Sequence, residues 1–443
     1  MTYVSTRTAA PSTSLSGALR AGLAADGGLY IPTRLPDLSH LEADSNLASL
    51  AASALAPFAE GDALEDELPS ICRDAFDVPA PVVPLTGAPG PASVLELFHG
   101  PTCAFKDFGA RFLAACLARL CADSPRPLTV LVATSGDTGG AVAAAFHRQP
   151  WADVVLLYPK NLVSARQAQQ LSCWGDNVRT FAVTGTFDDC QRMVKGAFRD
   201  PDLSSRHDFS SANSINIGRL LPQAVYYAQA SLAIFHAEGR RPNFIVPSGN
   251  LGNAAACLLA RDMGLPIGDI VLATNANRTI VDYLDRGEWR PRAAVATPAS
   301  AMDVGDPSNM ERLRFWAGDL EGLRHRVTAH AVEDEEIRHR IREDAATLGR
   351  VWCPHSATAA EVYQRLARTR AGEHWVIVAT AHPAKFDEIV EPLIGRTLPV
   401  PPNLERLLCL PRHDVDIEPT LDALTRALAD TRSARRPAVR GQR

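Results

Sequence analysis

The chain has 443 residues, 46% of them hydrophobic and 21% charged, with a formal net charge of -5. That length exceeds one simple core and predicts two or three domains of an ordinary folded globular protein. The acidic balance excludes a nucleic-acid footprint, nine scattered cysteines without a C-x-x-C pair read as reduced thiols of a cytoplasmic protein, and the absence of a signal-type leader or of a roughly eighteen-residue apolar run argues against secretion and a membrane span.

Residues 1–85 read as a mainly helical N-terminal domain, in which Ser14 to Leu19 opens a short amphipathic helix and Gly27-Gly28-Leu29-Tyr30-Ile31-Pro32 ends it in a turn. A proline-dense connector from Pro79 to Pro91 then marks a boundary, and residues 86–425 are expected to form the second, catalytic domain. Short aliphatic runs alternate there with helical stretches, predicting strands over 93–98, 128–132, 154–158, 179–183, 244–246, 270–273 and 376–379. The alternation indicates an α/β protein with two subdomains around parallel-rich sheets, binding ligands where strands run into glycine turns. Residues 426–443, with five arginines among small residues from Arg432 to Arg443, are expected to be a disordered tail.

Five segments carry chemistry. In Ala104-Phe105-Lys106-Asp107-Phe108-Gly109 an ammonium flanked by two phenylalanines is partly desolvated, which lowers its pKa and frees a neutral amine to attack a carbonyl carbon. A structural lysine paired with Asp107 is the alternative. Thr134-Ser135-Gly136-Asp137-Thr138-Gly139 and Pro247-Ser248-Gly249-Asn250-Leu251-Gly252 each follow a strand and open an alanine-rich helix, the design of an anion site as well as of an ordinary N-cap. Two such loops with a desolvated lysine suit a phosphorylated aldehyde, pyridoxal 5'-phosphate. Between them, Asn213-Ser214-Ile215-Asn216 is followed by Arg219, either a bidentate phosphate grip or a helix cap with a solvated arginine. Thr380, after the last predicted strand, is placed to meet a pyridine nitrogen. His99, His355 and His382 stand alone in sequence, and no metal site is expected.

Taken in order, His99-Gly100-Pro101-Thr102 with the Lys106 segment, the two glycine loops, Asn213 to Asn216, Ala301-Met302-Asp303-Val304 and Thr380-Ala381-His382-Pro383-Ala384-Lys385-Phe386 resemble the threonine synthase family of bacterial and fungal type. Asp26 to Pro32 resembles its N-terminal domain, so the likeness covers nearly the whole chain. It implies a fold-type II, tryptophan synthase β-like lyase dependent on pyridoxal phosphate, a monomer or homodimer that converts O-phospho-L-homoserine and water to L-threonine and phosphate, the last step of threonine biosynthesis. It also implies that Lys106 is the Schiff-base lysine, that Ser248, Gly249, Asn250, Leu251 and Gly252 hold the cofactor phosphate, that Asp137 lies by the ring 3'-oxygen and that Thr380 faces the ring nitrogen. Ser135, Thr138, Asn213, Ser214 and Arg219 would surround the substrate carboxylate and phosphate. Two departures stand out. Where the family has Gly, a basic residue, Val-Ser-Pro and a Gln-Glu pair, this chain has Asn161-Leu162-Val163-Ser164-Ala165-Arg166-Gln167-Ala168, and Leu251 replaces a common Phe. They leave open a phospholyase that eliminates phosphate from O-phosphohomoserine or a related amino acid to give a 2-oxo acid.

Overall fold

The computed structural model describes residues 1–429. Near the N-terminus β1 (Tyr3–Ser5) pairs antiparallel with β2 (Tyr30–Pro32), and helices Leu15–Ala21, Leu47–Ala59 and Leu68–Ala75 pack around them. Residues 30–32 are thus strand where the sequence suggests turn. The turn is confined to the residues just before them: Asp26 Oδ1 accepts from Gly28 N at 2.9 Å and its Oδ2 from Ala10 N at 2.9 Å. Leu29, Tyr30 and Ile31 beyond it are buried, so apolar burial decides the outcome.

Eleven further strands follow: β3 (Val82–Pro84), β4 (Ala92–Glu96), β5 (Leu128–Ala133), β6 (Ala152–Pro159), β7 (Val178–Val183), β8 (Asp208–Ser211), β9 (Asn243–Pro247), β10 (Ile270–Thr274), β11 (Thr328–Ala331), β12 (Trp375–Ala379) and β13 (Asp414–Ile417). One sheet has the order β11-β10-β9-β12-β4-β3, parallel except for the β3–β4 pair, and the other has the order β13-β7-β6-β5-β8, parallel throughout. Central strands such as β5, β9, β10 and β12 are buried at every residue, as sheets covered on both faces require. The four strands of these sheets that the sequence pattern does not announce, β3, β8, β11 and β13, are all edge strands. An edge needs no continuous apolar run and tolerates Pro84, so the proline-dense connector itself supplies one border of the first sheet. Helix Leu421–Ala429 takes in the first residues of the expected tail, and 430–443 lie outside the described residues. Among the described residues no helix is long and apolar enough to cross a membrane.

The N-terminal helices share one core with helices Lys106–Leu120 and Gln223–Glu238, so this region is fused to the catalytic body. Polar ties reinforce the seam. Asn216 Nδ2 donates to Leu19 O at 2.9 Å, and the guanidinium of Arg312, 0% exposed, donates to the carbonyls of Tyr30, Ser214 and Ile215 and to Asn309 Oδ1. One buried cation therefore holds β2 against the Asn213 to Arg219 segment. Arg312→Ala leaves these acceptors unpaired in the interior and is expected to lower unfolding stability by about 3 kcal/mol, measured by urea titration followed by circular dichroism.

Candidate active site

The approach to Lys106 is fixed by backbone. β4 and β12 run side by side, and past their ends Leu97 N donates to Ala379 O at 3.0 Å, Phe105 N to Thr380 O at 2.9 Å and His382 N to Cys103 O at 3.0 Å. Lys106 begins the helix Lys106–Leu120 directly after this seam, with its Nζ 4.5 Å from the centre of the Phe105 ring. Asp107 does not pair with it: the Asp107 carboxylate is buried and accepts from Thr102 N at 2.9 Å and Thr102 Oγ1 at 2.7 Å. Burial, then the nearby Arg219 cation, against the attraction of Asp137, bring the Lys106 pKa down to about 8. A substantial fraction of neutral amine near neutral pH follows.

Asp137 opens helix Asp137–Phe146 after β5, where Thr134 Oγ1 takes the N–H of Gly139 at 2.9 Å. Its Oδ1 accepts from Lys385 Nζ at 2.8 Å and Gln167 Nε2 at 3.1 Å. Burial alone would raise its pKa; Lys385 first and His355 next outweigh that and hold the carboxyl below its ordinary range. Gly136 has φ of 136°, and a Cβ there would sit 2.4 Å from Gln167 Nε2. Ser135 and Thr138 are half-buried beside it, and neither hydroxyl is engaged by another described residue.

The second loop follows β9. Ser248 N donates to Ala273 O and its hydroxyl to Val246 O, both at 2.8 Å, and a Cβ on Gly249 would lie 2.7 Å from Met302 Cα. Leu251 takes the left-handed conformation, φ 61°, although a side chain there costs about 1–2 kcal/mol. Helix Gly252–Asp262 starts from it without a side-chain cap. An uncapped first turn at a strained, glycine-flanked entry suits a phosphate, so this loop fits the cofactor's anionic end. Asn250 ties the loop to the Asn213 to Arg219 segment: its Nδ2 donates to Ser214 Oγ at 2.7 Å, and Asn309 Nδ2 donates to the same oxygen at 3.2 Å. Asn213 Nδ2 donates to Ala133 O at 2.9 Å at the end of β5.

Thr380 lies at the end of β12 with its N–H bonded to Ser356 Oγ at 3.1 Å and its own hydroxyl without a described partner. His355, its pKa pushed down to about 4 by burial above all, accepts from Ala301 N at 3.0 Å and so fixes the Ala301-Met302 segment against Gly249.

Arg219 departs from the phosphate grip expected of it. At 1% exposure its Nη1 donates to Ala212 O, its Nη2 reaches Lys106 O at 3.5 Å, and its buried Nε, without an acceptor, faces Gly109. The cause is the close crossing at Gly109, where a Cβ would meet Arg219 O at 2.7 Å and Nε at 2.9 Å. Arg219 therefore acts on Lys106 through its charge. The residues that sequence reasoning passed over are Lys385, Gln167 and His355. Lys385 and Gln167 lie in motifs already quoted, yet nothing in their spacing marks them as facing Asp137.

Comparison with known proteins places the chain among relatives along most of its length. The profile of pyridoxal-phosphate dependent enzymes matches residues 80–381, that of the threonine synthase N terminus residues 2–76, and that of the threonine synthase C-terminal region residues 356–427. The threonine synthase of Serratia marcescens is 41% identical over 403 residues, covering 88% of this chain and 90% of its own. The crystal structure of threonine synthase from Escherichia coli superposes with a TM-score of 0.86 at 36% identity over 97% of this chain and 100% of its own. The pyridoxal-phosphate-bound threonine synthase of Brucella melitensis gives a TM-score of 0.87 at 33% identity over 97% of this chain and 99% of its own.

Two outcomes follow from the geometry. Borohydride trapping of pyridoxal phosphate on the cofactor-free chain should rise with a midpoint near the Lys106 value of about 8, well below an ordinary lysine. Gly249→Ala pushes a methyl against the Met302 backbone and should weaken cofactor affinity about tenfold, or about 1.4 kcal/mol, in an equilibrium titration.

Proposed function

The chain belongs to the threonine synthase family of pyridoxal-phosphate-dependent enzymes, and we propose that its cleft runs the β,γ-replacement that converts O-phospho-L-homoserine and water to L-threonine and phosphate. The observation that carries this reading is the desolvated Lys106 set between two glycine loops, within a chain matched along its length by that family. Lys106 would hold the cofactor through Nζ, the Ser248 to Gly252 loop its phosphate, Asp137 its phenolic side and the Thr380 hydroxyl its ring nitrogen. When bound, pyridoxal phosphate supplies the electron sink that makes the substrate's α- and β-protons acidic.

The chain's own groups do the rest. Lys106 Nζ, freed by the incoming substrate amine and more readily deprotonated than an ordinary lysine because it is desolvated, takes the α-proton and returns protons later in the cycle. The unengaged hydroxyls of Ser135 and Thr138, with Asn213 and Ser214, orient the substrate's carboxylate and phosphate. Arg219 adds positive potential from beneath as charge grows on the departing phosphate. The altered segment keeps its links to this machinery. Ser164 caps helix Ala165–Ser172 and donates to Lys385 O at 3.1 Å, Gln167 reaches Asp137, and Arg166 pairs with Asp387 at 3.1 Å. The chain would work in the cytoplasm as a monomer or homodimer on this small-molecule substrate, a setting in which its unpaired cysteines fit.

Purified protein given O-phosphohomoserine should release threonine and phosphate in equal amounts. Release of 2-oxobutyrate without threonine would replace the reading with the phospholyase. Lys106→Ala should reduce threonine formation by about 1000-fold or more while the circular dichroism spectrum is retained.

A further inference from the structure

The chain contains four lysines, Lys106, Lys160, Lys195 and Lys385, among 45 Lys and Arg residues. Arginine thus serves almost every cationic position, yet two of the four lysines meet at one site. Lys385 is 1% exposed, in the turn Pro383–Phe386 after β12. Its Nζ donates to Asp137 Oδ1 and to Thr102 O, each at 2.8 Å, and Thr102 O also accepts from Gln170 Nε2 at 3.1 Å. A compact ammonium fits between a carboxylate from one sheet's helix and a carbonyl from the Lys106 approach, where a planar guanidinium would need more room. Asp137 Oδ1 is saturated by Lys385 and Gln167, and Oδ2 has no partner among the described residues.

We propose that Lys385 is a positioning residue for the reaction: its ammonium fixes Asp137 so that Oδ2 is the oxygen presented to the bound cofactor, and it balances the carboxylate's charge against Lys106. This rests on the cofactor reading of the site. The groups that share the field of this pair are Asp107 and Lys106 on the helix after the seam, Cys353 and His355 at the start of helix Pro354–Ala367, His382 beside the turn and Cys103 in the approach loop. His355 and His382 are held neutral by burial, with pKa values of about 4, which leaves Lys106 as the cation facing the pair, while burial raises the Asp107 carboxyl above its ordinary range against the bonds it accepts from Thr102.

The pair predicts shifts of opposite sign. In the cofactor-loaded full-length chain, Lys385→Met leaves Asp137 uncompensated and should move the pH midpoint of the bound cofactor's absorption band up by about one unit; Asp137→Asn leaves Lys385 uncompensated and should move it down. The double variant should return close to the starting midpoint, and Lys385→Arg should not restore cofactor affinity fully. The Lys106 trapping midpoint of the cofactor-free chain should shift in the same directions. Single variants that shift the same way, or a Lys385→Met that loses thermal stability with both midpoints unchanged, overturn the proposal and leave Lys385 a structural tether. If Lys385→Met does not fold, the downward shift in Asp137→Asn decides alone, and its absence overturns the proposal equally. Parent protein without a cofactor band would instead defeat the reading of the site, while the trapping midpoints would still test the charge balance.

Discussion

The backbone seam between the end of β12 and the loop entering Lys106 is the constraint on which the rest depends. Parallel pairing of β4 with β12 sends both strands out of the sheet at the same edge, and the bonds from Leu97, Phe105 and His382 extend that pairing past the regular strands. Lys106 and Thr380 are thereby placed together by main chain before any side chain is chosen. Carboxyl ends of adjacent parallel strands are where open α/β sheets bind ligands, and here the two ends supply an amine and a hydroxyl. The strain found nearby is consistent with a backbone held by its surroundings. Cys103 within the seam and Leu251 at the phosphate loop both adopt positive φ without being glycine, and both are buried.

Behind the seam lies a layer of charge with little water. Asp137, Lys385 and Arg219 are buried and Lys106 half-buried, and each shapes another: Arg219 and burial depress Lys106, Asp137 opposes them, and Lys385 keeps Asp137 ionised. Desolvating so many ions is costly, and apolar replacements would serve stability as well or better. Their retention makes sense as chemistry, because a lysine with a pKa of about 8 needs cations near it and a desolvated setting. Arg219 has no carboxylate partner, and burial brings its own pKa to about 10. It gives up part of its solvation to stand beneath the Lys106 amine.

Much of this was legible in the sequence. In the two large sheets every strand with a continuous apolar run was visible, because central parallel strands must be apolar on both faces, whereas the short buried β2 beside a glycine pair read as turn. The edges β3, β8, β11 and β13 were not, because a half-exposed strand such as Asp208–Ser211 can carry polar residues and still pair. The glycine loops and Lys106 were legible because their backbone demands restrict residue type. Arg219 misled because an arginine near serines and asparagines looks the same whether it faces the cleft or lies under a glycine crossing. Lys385 was hidden because its partner, Asp137, is distant in the chain and only the meeting of two sheets brings them together, and Gln167 because its contact with Asp137 depends on how the helices after β5 and β6 pack on the same sheet.

The altered segment 161–168 shows why motif loss and function loss need not coincide. Asn161 adopts φ of 64°, the left-handed region where the family's glycine would sit, and asparagine is among the residues that tolerate it. Ala165 stands at the first helical position, where proline is favoured but alanine propagates a helix equally well, and the reciprocal bonds between Ser164 and Gln167 secure the start without it. Leu162, in the place of a basic residue, is 54% exposed, away from the buried charges. Of the side chains of this segment that bond to the Asp137–Lys385 region, Ser164 and Gln167 are kept from the motif, and Arg166 adds a further bond to Ala384 O. What has changed is therefore scaffold that the new residues still satisfy, and what touches the charged floor of the site has not changed.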